Sequence, residues 1–196
     1  MDRKKALENK NIGAQQFQEL NALHDTLFEE FKNQFDRSLP FTDELFDRWD
    51  RAKKLGFGEG SSIYDSSYIF GNVKVGKQTW IGPFTIIDGS GGLEIGDNCT
   101  ISSAVHIYSH DNLKSTLSGG KIAIEHAQVT IGNNTYLGPH SIIAKGVSIG
   151  NHCVVASNSF VNKNMKDNSI YAGNPAKCIG HVRIFDNKIE FDYTVK

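Results

Sequence analysis

Aliphatic side chains recur every six residues along most of this chain, and that spacing excludes most architectures at once. The frame runs Val75, Ile81, Ile87, then slips by two residues across Asp88-Gly89-Ser90-Gly91-Gly92 and resumes at Ile95, Ile101, Ile107. After an interruption it returns as Ile131, Leu137, Ile143, Ile149, Val155, Val161, and Ile63 and Ile69 extend it backward. The next residue is small at most steps (Gly76, Gly82, Gly96, Gly132, Gly138, Gly150), and a compact residue follows three places later (Thr79, Thr85, Cys99, Thr135, Ser141, Cys153). An amphipathic helix repeats its apolar face every 3.6 residues and a single strand every two. A period of six fits a chain that runs extended, turns a corner and runs extended again, so that each aliphatic points into the axis of a triangular coil. Eight of the twelve central positions are Ile, three are Val and one is Leu; β-branched side chains favour such extended segments. Each buried Ile or Val contributes about 1.5–3 kcal/mol before entropy is subtracted, so the stack makes a core. Corners need backbone conformations that Gly and Asn tolerate, and Ile95-Gly96-Asp97-Asn98 and Ile131-Gly132-Asn133-Asn134 are expected to supply them through both residue types.

The ends are different in kind. Phe17, Leu20, Leu23, Leu27 and Phe31 sit at helical spacing, predicting a helix over about 15–35. A second helix is expected with Thr42 as its cap, Asp43 and Glu44 in its first turn, Lys53 and Lys54 in its last, and Gly56 ending it. Its Leu45, Phe46 and Trp49 are expected to cover the open end of the coil. Val182–Phe185 and Lys188–Phe191 flank Asp186-Asn187 and predict a hairpin. The expected organisation is a helical segment over 1–57, a mainly β, parallel coil over 58–180 interrupted at about 108–128, and a β-hairpin over 181–196.

With 21 basic and 22 acidic residues the chain has no bulk attraction for nucleic acid or an anionic membrane. The basic start is not followed by an apolar run, so neither a secretory signal nor a membrane span is expected. Cys99, Cys153 and Cys178 form no CxxC pair, which points to reduced thiols in the cytoplasm and away from zinc held by cysteine.

The hexapeptide frame resembles the left-handed β-helix acyltransferases, over roughly 63–180. Three segments sharpen the resemblance. Tyr108-Ser109-His110-Asp111-Asn112 interrupts the repeat as the histidine-bearing loop of the sugar and xenobiotic O-acetyltransferases does. Val155 to Lys163 is similar to the last coil of those enzymes, and Ala172-Gly173-Asn174-Pro175-Ala176-Lys177 to their end segment. The resemblance implies a cytoplasmic homotrimer with acetyl-CoA lying between neighbouring β-helices, and no required metal. Three departures narrow it. His110 follows Ile107 more closely than in galactoside and maltose acetyltransferases, the acceptor-contacting asparagine has no counterpart around 82–84, and Tyr136 stands where many relatives carry tryptophan. The stretch from Asp88 to Asn112 is more similar to acetyltransferases of surface-polysaccharide and lipopolysaccharide biosynthesis.

On this resemblance His110 is the general base, because a neutral imidazole accepts a proton near pH 7. Asp111 is expected to orient it. His106, one residue before an inward Ile, is the nearest competitor and is expected to point outward. No cysteine is placed as an acyl carrier, so the acceptor is expected to attack acetyl-CoA directly, with backbone amides stabilising the oxyanion. Gly138, Ala144, Ala156 and Ser157 are expected along the pantetheine arm, and Lys163 and Lys177 at the phosphates of coenzyme A. Trp80 and Tyr136 either shape the acceptor pocket or pack between subunits. The expected reaction is O-acetylation of a sugar or polysaccharide precursor. The alternatives are N-acetylation of a nucleotide-linked amino sugar, a zinc hydratase on the same fold drawing on His106, His110, His126 and His140, and a non-catalytic trimeric scaffold.

Overall fold

A computed structural model of the protein describes residues 3–10, 13–186 and 188–194. The chain divides into two compact units, residues 1–47 and residues 48–196. The first unit holds helices α1 (Arg3–Lys10), α2 (Ala14–Phe35) and α3 (Phe41–Leu45). Helix α2 occupies the span read from its apolar spacing and ends where Asp36 turns left-handed at φ 50°, its N–H bonded to the Lys32 carbonyl.

The second expected helix is two. Helix α3 starts after Pro40, without a side-chain cap from Thr42, and Phe46 is extended at φ −109°, ψ 121° before α4 (Arg48–Lys54) begins. Gly56, at φ 76°, ends α4 as expected. Of the residues expected to cover the coil, Leu45 and Phe46 belong to the first unit, and Trp49, which belongs to the coil's own unit, remains exposed. The Arg48 guanidinium lies over the Trp49 ring at 4.1 Å, and α4 meets the coil instead through buried Ala52. A methyl group lets the helix backbone approach the first strand closely. Arg51 ties it there, donating to the carbonyls of Tyr64 and Ser67.

The second unit is the coil, and its registers form three parallel columns. Ile63, Ile81, Ile101, Leu137 and Val155 pair successively on one face. Ile69, Ile87, Ile107, Ile143 and Val161 pair on the second. Val75, Ile95, Ile131 and Ile149 pair on the third, and Met165 continues it through a bridge to Ile149. All twelve central positions of the six-residue frame are core, none more than 7% exposed. The fold is a mainly β, left-handed parallel β-helix, as the repeat predicts.

The corners correct the sequence reading of glycine. Positive φ belongs to the third residue after most inward aliphatics: Asn98 and Asn134, but also Gln78, Phe84, Ala104 and His152. Gly96 and Gly132 are not in that region. Glycine follows the aliphatic because the coils stack there without space for a side chain; a Cβ on Gly132 would lie 2.7 Å from the carbonyl carbon of Gly150. The compact residues have their own task, closing each corner onto a neighbouring coil. Thr79 and Thr135 donate to the carbonyls of Gly96 and Gly150 at 2.9 and 3.0 Å, and the thiols of Cys99 and Cys153 approach those of Gly132 and Lys166. An amide-side-chain ladder runs beside them: Asn133 accepts the Asp97 N–H, and Asn151 accepts the Asn133 N–H, each at 2.8 Å.

The interruption after Ile107 is a short antiparallel hairpin, His110–Asp111 with Glu125–His126, with helix α5 (Leu113–Leu117) inside it. At the far end Ala176–Phe185 pairs antiparallel with both Ser169–Gly173 and Lys188–Tyr193, so the expected hairpin exists and is continuous with the coil. Asn187 of its turn lies outside the described residues.

Candidate active site

The site is built where two departures from the hexapeptide frame meet on one edge of the coil. The first is the two-residue insertion after Ile87. It begins with Asp88, a carboxylate where most steps of the frame carry a small residue, and the structure buries it to 1% exposure. A buried carboxylate must be satisfied, and this one is. Ser90 donates its N–H and its hydroxyl to Oδ1, and the Ser109 N–H donates to Oδ2 at 2.8 Å. The glycines around it are required by close approach: a Cβ on Gly89 would lie 2.3 Å from the Asn72 carbonyl oxygen, and one on Gly91 2.4 Å from that of Ser109.

The second departure is the hairpin, which carries His110. Its Nδ1 lies 2.7 Å from Asp88 Oδ2. A carboxylate only accepts, so Nδ1 carries the proton of this bond, and in the neutral imidazole Nε2, on the opposite edge of the ring, is the nitrogen with the free lone pair. Burial pushes the Asp88 carboxyl up, but the hydrogen bonds from the Ser90 hydroxyl, His110 and the Ser109 and Ser90 amides outweigh it and hold the group well below the usual carboxylate range. Asp88 is therefore a fixed negative charge behind the ring. The His110 side chain is 36% exposed and borders an open groove of about 430 Å³ with Tyr108, Asn112, Ala144, Lys145 and Phe160.

The expectation that Asp111 orients His110 is corrected. Neighbouring residues on a strand point to opposite faces, and the Asp111 carboxylate turns to Lys145 Nζ at 2.7 Å and to the Leu113 N–H. Asp88 orients the ring. The signal for it was in the sequence, an acid directly after an inward aliphatic and followed by Gly-Ser-Gly, but not its partner 22 residues away. His106 does not border the groove. It sits outward on the second face, paired in register with Ile142, its Nδ1 3.4 Å from the Tyr108 hydroxyl, and burial and the charge of His140 push its pKa down.

Of the residues read as cofactor contacts, Ala144 shares the groove with His110. Lys163 and Lys177 are brought together in a second groove of about 460 Å³, beside Tyr171 and Cys178. The two grooves lie along the same edge, since Ala144 donates its N–H to the Val161 carbonyl, two residues before Lys163. Gly138, Ala156 and Ser157 stack at a different corner: Gly138 donates to the Val155 carbonyl, and a Cβ on it would meet the Ser157 nitrogen at 2.6 Å. Trp80 and Tyr136 are in register on the first face, on either side of Thr100. Trp80 packs edge-on against Tyr64, Tyr136 is exposed, and neither borders the His110 groove within this chain. Of the histidines weighed for zinc, His110 pairs across the hairpin with His126 at a ring separation of 6.0 Å, and within one chain no group of three His, Cys, Asp or Glu side chains suited to a metal forms among the described residues.

Comparison with known proteins adds to this geometry. Residues 128–163 match the family described as bacterial transferase hexapeptide (six repeats). Over 141 residues the chain is 30% identical to galactoside O-acetyltransferase of Escherichia coli strain K12, covering 71% of this chain and 64% of that protein. Protein CapG of Staphylococcus aureus is 39% identical over 107 residues, covering 53% of this chain and 62% of CapG. The chain thus spans a little under two thirds of the length of these relatives. Among solved structures, a mutant of AntD, an N-acyltransferase from Bacillus cereus in complex with dTDP and coenzyme A, superposes with a TM-score of 0.57 at 25% identity, covering 67% of this chain and 88% of AntD. By its repeat, its three columns and these likenesses, the chain has a left-handed β-helix, and its residues 128–163 match the hexapeptide repeat of bacterial transferases.

Proposed function

We propose that this protein transfers the acetyl group of acetyl-CoA to a hydroxyl of a sugar or surface-polysaccharide precursor, with His110 as general base. The observation that carries the reading is the His110–Asp88 pair, in which Nδ1 faces the buried carboxylate and Nε2 is left without that partner on a ring that borders an open groove. In the reaction Nε2 takes the proton of the acceptor hydroxyl as its oxygen bonds to the thioester carbon. The tetrahedral intermediate then collapses, the carbon–sulfur bond breaks, and the imidazolium returns the proton to the sulfur of coenzyme A. The buried Asp88 charge favours the imidazolium at the moment it forms, and its fixed hydrogen bonds spare the site reorganisation. Lys163 and Lys177, side by side in the neighbouring groove, suit the coenzyme A phosphates, with Ala144 between them and the base. Gly138, Ala156, Ser157, Trp80 and Tyr136 enter this reading only in a trimer, where a neighbouring subunit faces them.

An amine acceptor on a nucleotide-linked sugar is the second reading, favoured by the likeness to AntD, whose crystals hold dTDP. One assay separates these. Coenzyme A release is followed with nucleotide sugars, amino-sugar nucleotides and oligosaccharides as acceptors, for wild type and His110→Ala. The expected result is acceptor-dependent release that falls by about 10²–10⁴-fold in the variant while acetyl-CoA binding persists. Full activity in His110→Ala would remove the base. No acceptor-dependent release, together with no acetyl-CoA binding, would leave a scaffold, and stoichiometric zinc in the purified protein would favour a hydratase.

A further inference from the structure

The hairpin that carries His110 presents an electrostatic problem of its own. Asp111 and Glu125 are directly opposite each other on its two antiparallel strands, and like charges at such positions repel. Both nevertheless turn to the same place. Lys145, two residues past inward Ile143 on the coil body, places Nζ 2.7 Å from Asp111 Oδ2 and 2.9 Å from Glu125 Oε2. Its side chain is 23% exposed, and Lys114 of the hairpin's own helix takes the other oxygen of Glu125. Next to Lys145, the Gly146 N–H donates to the Ala127 carbonyl, so backbone and side chain fasten the same end of the hairpin.

We infer that Lys145 is a positioning residue, clamping the His110 hairpin to the β-helix by neutralising the Asp111–Glu125 pair. The inference rests on the proposed acyl transfer. His110 is held by two tethers, Asp88 on the ring and Lys145 through the adjacent Asp111. The first sets the direction of the ring, and the second sets where the backbone beneath it sits. An isolated exposed ion pair contributes little. This cation is shared by two carboxylates that repel each other without it, so its loss both unfastens the hairpin and pushes its strands apart.

The test uses the full chain in four forms: wild type, Lys145→Met, Lys145→Arg and the double variant Lys145→Met/Glu125→Gln. Amide hydrogen exchange over 109–127 and acetyl-transfer kinetics are measured on each. Lys145→Met is expected to lose protection in 109–127 alone and to lower kcat by about 10–10²-fold, as a misplacement on the order of 1 Å does, with the KM for acetyl-CoA unchanged. Lys145→Arg is expected to stay near wild type. The double variant, which removes the repulsion but does not restore the tether to the coil, is expected to regain part of the protection and part of the rate. Unchanged exchange in Lys145→Met would overturn the clamp. Exchange rising over the whole β-helix, or a double variant no better than the single one, would overturn it as well. If wild type itself transfers no acetyl group, the exchange data alone decide the clamp and it is the proposed reaction that falls.

Discussion

The residue that most constrains the chemistry is Asp88. A carboxylate 1% exposed, with five hydrogen bonds from Ser90, Ser109 and His110, is rigid as well as charged. Asp88→Asn is expected to lower kcat by about 10²–10⁴-fold, because an amide can donate to Nδ1 and so favour the tautomer with the proton on Nε2. The same variant tests stability. A depressed folded-state pKa contributes stability that is fully present above the ordinary carboxylate range and is lost only as pH falls through the depressed value. The difference in melting temperature between wild type and Asp88→Asn should therefore not shrink between about pH 8 and pH 5 and should fall only below about pH 4. Thermal unfolding across that range checks it, and a gap already closing between pH 7 and 6 would contradict the assignment.

At the scale of the element, the 108–128 hairpin is the least self-sufficient part of the site. A two-stranded ribbon is marginal by itself, and this one depends on charges. The side-chain bond to Lys145 and the backbone bond from Leu113 hold Asp111 below its usual pKa, while Lys114 and then Lys145 do the same for Glu125. Bonds to Asp111 and Glu125 hold Lys145 above its own. The sign follows: the clamp is complete above the ordinary carboxylate range, loosens as pH falls through the depressed carboxylate values, and resists alkali up to beyond the ordinary lysine value. Native-state exchange at a series of acid pH values, corrected for intrinsic rates, should show 109–127 opening before the three columns do. Simultaneous opening of both would contradict it. The columns need no such help, since their strands are packed on one apolar axis.

For the whole molecule, the proposed trimer is the decisive expectation. Within one chain the residues read as cofactor contacts fall into two groups, one on the edge with His110 and one at the corner of Gly138, Ala156 and Ser157. In the proposed trimer these two groups, contributed by neighbouring subunits, would form one cofactor site. Light scattering coupled to size exclusion should give three times the 21.7 kDa chain mass, and a monomer with full transfer activity would overturn the shared-site reading. Among the described residues no helix is long and apolar enough to cross a membrane.

The six-residue spacing was enough to read the β-helix and its core. Each inward aliphatic answers to its own six-residue step, so the columns of Ile81, Ile87 and Ile95 were legible without any knowledge of what lay beside them. The place of the histidine loop was legible for the same reason, as a break in the period. Tertiary structure decided everything that depends on register between coils. It brought Asp88 to His110 across 22 residues and Lys145 to Asp111 across 34. It also moved glycine's task from the corner dihedral to the contact between stacked turns. Local spacing encodes which side of the chain faces the axis; which outward side chains meet is set by the insertions at 88–92 and 108–128, whose folded paths no period describes.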